Sequence, residues 1–145
     1  HRTGEIMQIE FKKLSNMATI PDHKTAGAAG LDLYASEEAV LRPGTTTVVH
    51  TGIAAAIPEG YVGLVWDRGS MAIRSLHVLA GVIDSDYRGE ILLVIHNAGE
   101  PHHLITPGER IAQLLIQPVQ RVEPLEVLVL EPTARGTGGF GSTGV

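Results

Sequence analysis

The sequence has no cysteine in its 145 residues, which excludes disulfide frameworks, thiolate zinc fingers, iron–sulfur clusters and cysteine nucleophiles together. That absence fits a reducing, intracellular setting, and the cytoplasm is the expectation. Aromatic residues are scarce at 4%, so any core must be aliphatic. Basic residues are outnumbered, 11 against 16 acidic, for a formal net charge of −5. Such a balance offers no electrostatic footprint for the backbone of DNA or RNA. No apolar run approaches the ~20 residues that cross a bilayer, and no helical period extends beyond a turn or two. Neither a nucleic acid nor a membrane is expected as a partner.

What the chain does have is punctuation, with 17 Gly and 8 Pro cutting it into short runs rich in Val, Ile, Leu and Thr. Such runs favour strands. The pattern predicts strands over Gln8 to Phe11, Thr45 to His50, Ile53 to Ile57, Tyr61 to Asp67, Glu90 to Asn97, Ile111 to Pro118 and Leu125 to Leu130, in a sandwich or closed barrel. Pro43-Gly44, Pro58-Glu59-Gly60 and Pro107-Gly108 mark turns. One short helix is predicted over Ser70 to Leu76, with Ser70 as its cap. The runs Ile91 to Ile95, Leu114 to Ile116 and Val127 to Leu130 are apolar without alternation, so both faces of those strands should be covered. A second subunit or the chain's own sandwich would do this. Residues 1–6 precede Met7 and are read as lying outside the domain, which spans 7–134. Residues 135–145 contain five glycines and are read as a flexible tail.

Several segments carry chemistry. Gly81-Val82-Ile83-Asp84-Ser85-Asp86-Tyr87-Arg88-Gly89 reads as a hairpin presenting a carboxylate, able to act as general base, and an aromatic ring; an Asx turn is the bland alternative. Arg68-Gly69-Ser70 places a guanidinium, a flexible backbone and a hydroxyl at a strand-to-helix turn, an inventory that suits a phosphate. The tail offers the same inventory in Arg135, its glycines, Ser142 and Thr143, with Phe140 as its aromatic. It lacks the Gly-Lys-Ser/Thr ending of a P-loop. Asp32, between Leu31 and Leu33, points away from its apolar neighbours, and one carboxylate plus substrate phosphates is a common way of holding Mg²⁺. The histidines show no metal-ligand spacing and are read as surface residues.

In order and spacing, the segments Ala29 to Leu33, Arg68 to Ala72, Gly81 to Gly89, Pro107 to Gln113 and Arg135 to Gly144 together resemble the five motifs of the all-β trimeric dUTPase family. The resemblance implies an all-β, jelly-roll-like β-barrel of short strands with one connecting helix, assembled as a homotrimer with shared active sites. It implies hydrolysis of dUTP to dUMP and pyrophosphate, which keeps uracil out of DNA and supplies dUMP for dTMP synthesis. Asp84 would deprotonate the water that attacks the α-phosphorus. Tyr87 would pack on the deoxyribose where a 2′-hydroxyl would collide, and backbone around Gly81 would read uracil. Asp32 would hold Mg²⁺ through water. Arg68, Gly69, Ser70 and Gln113 would contact phosphates. The tail would close over the site with Phe140 on uracil and Arg135, Gly141, Ser142 and Thr143 around the γ-phosphate. The family's second motif commonly runs Arg-Ser-Gly or Arg-Ser-Ser, whereas Arg68-Gly69-Ser70 displaces the hydroxyl by one position. A dCTP deaminase on the same barrel, a nucleotide-binding protein with little catalysis, and a structural β-oligomer are the competing readings.

Overall fold

Short β-branched runs between Pro and Gly turns form short strands, and the computed structural model, which describes residues 6–141, has eleven of them and one four-residue helix among those residues. The order is β1 (Glu10–Lys13), β2 (Leu31–Tyr34), β3 (Ala39–Leu41), β4 (Thr46–His50), β5 (Ile53–Ala56), β6 (Tyr61–Asp67), α1 (Gly69–Ala72), β7 (Leu76–Leu79), β8 (Val82–Ile83), β9 (Leu92–Asn97), β10 (His103–Ile105) and β11 (Arg110–Pro118). All pairings between them are antiparallel, in sheets ordered β2-β11-β6-β8, β4-β9-β7, β1-β5 and β10-β3. The fold is all-β and jelly-roll-like, as expected.

The core is aliphatic for the reason the composition dictates. Leu33, Leu41, Ile91, Leu93, Ile105 and Ile111 are buried in one cluster, each contributing about 1.5–3 kcal/mol by leaving water. The side chains of Thr51 and Asn97 inside it are hydrogen-bonded. Thr51 Oγ1 donates to the Ile91 carbonyl at 2.6 Å, and Asn97 Nδ2 donates to the carbonyls of Leu41 and Pro101 at 2.9 and 2.8 Å.

The strand that looked apolar on both faces alternates after all. Ile91, Leu93 and Ile95 point inward, while Leu92 and Val94 lie on the other face. Val94 pairs with Val48 on one side and Leu79 on the other, so an apolar row crosses the outer surface of the β4-β9-β7 sheet. Residue pairs of this kind stabilise a sheet, and their exposed side asks for a cover. In β11 a bulge between Arg110 and Ala112 lets both Ile111 and Ala112 face the core.

Four expectations are corrected. The first strand lies at Glu10–Lys13, two residues later than Gln8 to Phe11, because the β5 register sets it. The helix ends at Ala72 rather than continuing to Leu76, since Ser75 adopts φ 65° and Leu76 is drawn into the core as the start of β7. Ser70 is not its cap: Arg68 occupies that position and makes no side-chain capping bond. Leu125 to Leu130 forms no strand and is exposed, Leu128 fully so. Pro124 withholds a ladder donor beside it, and among the described residues no strand pairs with it.

Gly81 fastens β8 to β6. Its carbonyl accepts from Val65 N–H at 2.8 Å, its φ is +105°, and a Cβ there would stand 2.8 Å from the Val65 carbonyl oxygen. Because that neighbour is backbone and cannot step aside, Gly81→Ala is expected to cost about 2–4 kcal/mol. Gly44→Ala, at positive φ but in open space, should cost only about 1 kcal/mol. Urea unfolding of the two variants checks the difference; equal costs would mean that the close approach to Val65 is unimportant.

Candidate active site

The central strand of the four-stranded sheet assembles one group of the expected residues. Gln113 on β11 stands opposite Asp32 on β2 and Trp66 on β6. Its Nε2 donates to the Asp67 carbonyl at 2.9 Å, at the point where the chain leaves β6 for Arg68. Space for the Gln113 side chain exists only because position 30 is glycine, where a Cβ would lie 2.5 Å from Gln113 Oε1.

Asp32 is buried, its Oδ1 3.5 Å from Arg68 Nε and its Oδ2 3.6 Å from Arg110 Nη1. Arg68 Nη1 in turn donates to the Arg110 carbonyl at 3.0 Å. One carboxylate thus holds two guanidiniums apart and in place. Oδ2 has no hydrogen-bond partner, an acceptor left open in a site where buried oxygens are normally satisfied. Arg110 had not been singled out by residue type, although it lies inside Pro107 to Gln113. Gly69 and Ser70 are exposed on α1 beside Arg68.

The second group stands at the other end of the same sheet. β8 pairs Ile83 with Gly63 and Val82 with Leu64, so Asp84 leaves the far edge from β2. Three strand spacings of ~4.8 Å put that edge about 14 Å from the Asp32 edge. After Asp84 the chain turns, Tyr87 N–H donating to the Asp84 carbonyl at 3.1 Å and Tyr87 Oη to the Glu90 carbonyl at 2.7 Å. Asp84 and Tyr87 are exposed and flank a groove of about 210 Å³ whose walls include Gly81, Ile83, Leu79 and Leu92. The apolar row across the outer sheet runs into this groove.

The tail forms a third group. Arg135 Nε donates to the Gly138 carbonyl at 2.6 Å and Gly136 N–H to Thr133 Oγ1 at 3.2 Å. Phe140 is fully exposed at φ 49°, and Gly141 is exposed as well. Ser142 and Thr143 lie outside the described residues. The structure therefore brings Asp32, Arg68 and Gln113 together, sets Asp84 with Tyr87 and Gly81 apart from them, and leaves Phe140 exposed.

A fit for Mg²⁺ can be judged on these groups. Among the described residues no three His, Asp or Glu gather as a ready-made metal site. Asp32 Oδ2 accepts no hydrogen bond but is buried and faces Arg110 at 3.6 Å, so the carboxylate suits only a cation reached through water and carried chiefly by substrate phosphates. No helix among the described residues is long and apolar enough to span a membrane.

An all-β, jelly-roll-like fold with a polar cluster at one sheet edge and a grooved hairpin at the other defines the class. Comparison with known proteins makes it specific: the dUTPase family model matches residues 16–144. A deoxyuridine 5'-triphosphate nucleotidohydrolase of Syntrophotalea carbinolica is 45% identical over 141 residues, covering 94% of this chain and 96% of its own. The mitochondrial human enzyme of that name is 43% identical over 139 residues, 95% of this chain and 55% of its own. Among solved structures, the dUTPase of Staphylococcus bacteriophage 80alpha with dUPNHPP superposes with a TM-score of 0.86 at 32% identity, over 95% of this chain and 99% of that one. A dUTPase from phage phi11 of S. aureus, described for its coordination of a structural Mg(II) ion, superposes with a TM-score of 0.80 at 27% identity, over 85% and 98%. The chain belongs to the dUTPase family.

One titration reports on the Asp32 edge. Asp32 N–H donates to the Asp22 carbonyl at 2.8 Å, and Tyr34, two residues along β2, donates its hydroxyl to Asp22 Oδ1 at 2.6 Å. That bond, then burial and the nearby carboxylates, raises the Tyr34 phenol to about 12. Because the folded value lies above the ordinary one near 10, the stabilisation is complete below pH 10 and disappears as pH rises towards 12. Ultraviolet titration of the folded protein should show one tyrosine ionising near pH 12, absent in Tyr34→Phe. If the highest-titrating tyrosine survives that substitution, the Asp22 bond is not its cause.

Proposed function

We propose that the protein hydrolyses dUTP to dUMP and pyrophosphate in sites assembled between three copies of the chain. The observation that carries the reading is the separation within one chain: residues matching the family's motifs occupy opposite edges of one four-stranded sheet, Asp32 on β2 and the Asp84 hairpin after β8. The apolar row of exposed Val48 and Leu79 with half-buried Val94 between them and the exposed Leu125 to Leu130, which no strand among the described residues pairs with, support burial against neighbouring subunits. In this reading Asp32, Arg68 and Gln113 come from one subunit, the Asp84 hairpin from a second and the tail from the third.

Uracil enters the groove beside Gly81, where backbone groups meet its polar edge and a cytosine amine would leave them unpaired. Tyr87 stands against the sugar and has no room for a 2′-hydroxyl. Arg68, with the backbone at Gly69, the Ser70 hydroxyl and Gln113, receives phosphate oxygens. Asp32 keeps Arg68 in place and is the carboxylate that would hold Mg²⁺ through water. When bound, the metal neutralises charge on the triphosphate. Asp84, exposed and accepting, takes the proton of the attacking water while that water bonds to the α-phosphorus and pyrophosphate departs. The tail then closes with Phe140 over uracil and Arg135, Gly141, Ser142 and Thr143 around the terminal phosphate, limiting stray water.

Pyrophosphate release from dUTP, but not from dCTP, dTTP or UTP, and its loss with EDTA test the reaction. Ammonia from dCTP would place the protein with the deaminases instead. Asp84→Asn should lower kcat by about 10²–10⁴ with dUTP binding by calorimetry little changed; near-normal turnover would remove Asp84 from the mechanism. Truncation before Arg135 should leave the sedimentation of the trimer unaltered and abolish most activity. A fully active truncated protein would show that closure by the tail is dispensable.

A further inference from the structure

A ring that rejects a 2′-hydroxyl by collision works only as far as it cannot move, and Tyr87 stands exposed on a four-residue turn. Within the hairpin its ring is braced against Gly89, where a Cβ would sit 2.5 Å from Tyr87 Oη and 2.7 Å from Cζ, and its hydroxyl donates to the Glu90 carbonyl at 2.7 Å. Both braces belong to the hairpin itself and would travel with it. The Glu90 side chain links the hairpin to a different part of the barrel. Its Oε2 accepts from Gly52 N–H at 2.9 Å in the turn between β4 and β5, and its two oxygens lie 3.2 and 3.1 Å from His50 Nδ1. The Gly52 turn is itself unyielding, since its φ is +68° and a Cβ there would be 3.1 Å from Ala18, Ser15 and Ser36 side chains. The other charged group facing His50 is Glu37, at 3.7 Å.

We infer that Glu90 is a positioning residue for sugar selectivity: its carboxylate, held by Gly52 and His50, fixes the carbonyl that holds Tyr87 against the sugar. The inference rests on the reading of Tyr87 as the wall of the deoxyribose subsite. Loosening the clamp lets the ring swing and admits ribose, so UTP gains relative to dUTP. The decisive quantity is the ratio of kcat/KM for dUTP to that for UTP, because a fall in the folded fraction alone scales both alike and leaves the ratio unchanged.

The test compares wild type, Glu90→Ala, Glu90→Gln, His50→Ala and Tyr87→Ala as full-length Mg²⁺-supplied enzymes. Glu90→Ala should lower the ratio roughly tenfold, the scale expected for losing a hydrogen bond to a charged acceptor. Glu90→Gln, which still accepts from Gly52, should recover most of it. His50→Ala should lower it about two- to threefold, as for a partly exposed ion pair, and carries the test should Glu90→Ala fail to fold. An unchanged ratio in Glu90→Ala, or in His50→Ala where that variant must stand in, overturns the inference, as does equal loss in Ala and Gln. Failure of the underlying reading looks different: if Tyr87→Ala keeps the wild-type ratio, Tyr87 is not the wall, and the role of Glu90 falls with it.

Discussion

Strand β11 lies between β2 and β6, and the polar end of the molecule depends on that double register. Pairing with β2 sets Gln113 across from Asp32, pairing with β6 sets it across from Trp66, and the bulge after Arg110 returns that side chain to the Asp32 carboxylate. A slip of one residue would turn Gln113 to the opposite face and Leu114 out of the core. Leu114 is 1% exposed, so hydrophobic burial protects the alignment of the polar groups. Gly30 completes it, since a larger residue would displace the Gln113 amide from Asp67.

The same sheet also keeps the Asp32 and Asp84 groups apart within one chain. Asp84 leaves one edge and Asp32 lies on the other, and a twisted four-stranded sheet cannot fold its own edges together without losing its core. In the proposed reading, assembly of several chains would resolve this and would also cover the apolar row that one chain leaves facing water. In the proposed enzyme, subunit contact and catalysis therefore share a cause. A protein of net charge −5 that takes a highly charged anion needs local rather than global attraction, and Asp32 provides it by holding Arg68 and Arg110 side by side against their mutual repulsion.

Much of this was legible in the residues. Strands with strong β-branched content, such as Tyr61–Asp67 and Thr46–His50, lay where the pattern put them, and the motif order announced the family. The errors have physical origins. Leu125 to Leu130 has the composition of a strand but no strand partner among the described residues, and a strand without a ladder is only an extended segment. Ile91 to Ile95 read as apolar on both sides because Leu92 and Val94 put apolar side chains on the outer face as well, the composition that burial against another subunit in the proposed assembly would call for. The helix lost its last residues to Leu76, whose burial outweighs continuation of a marginal four-residue turn. The short strands β3, β8 and β10 carry too few residues to show a period at all.

The anchoring of the hairpin could not have been read from the sequence, and the reason is general. Asp84, Tyr87 and Gly89 lie within six residues of one another, so a local pattern exposes them. His50 and Gly52 are 40 and 38 positions from Glu90, and nothing near Glu90 in the chain signals that its carboxylate is committed to them. Groups that touch the substrate tend to be clustered on one turn, because a turn is the cheapest way to present several side chains to one small molecule. Groups that keep that turn still must come from elsewhere, since a brace fastened only to the turn moves with it. Stiffness is thus a tertiary property even where chemistry is local, and it becomes visible only once the barrel has brought the β4–β5 turn beneath the hairpin.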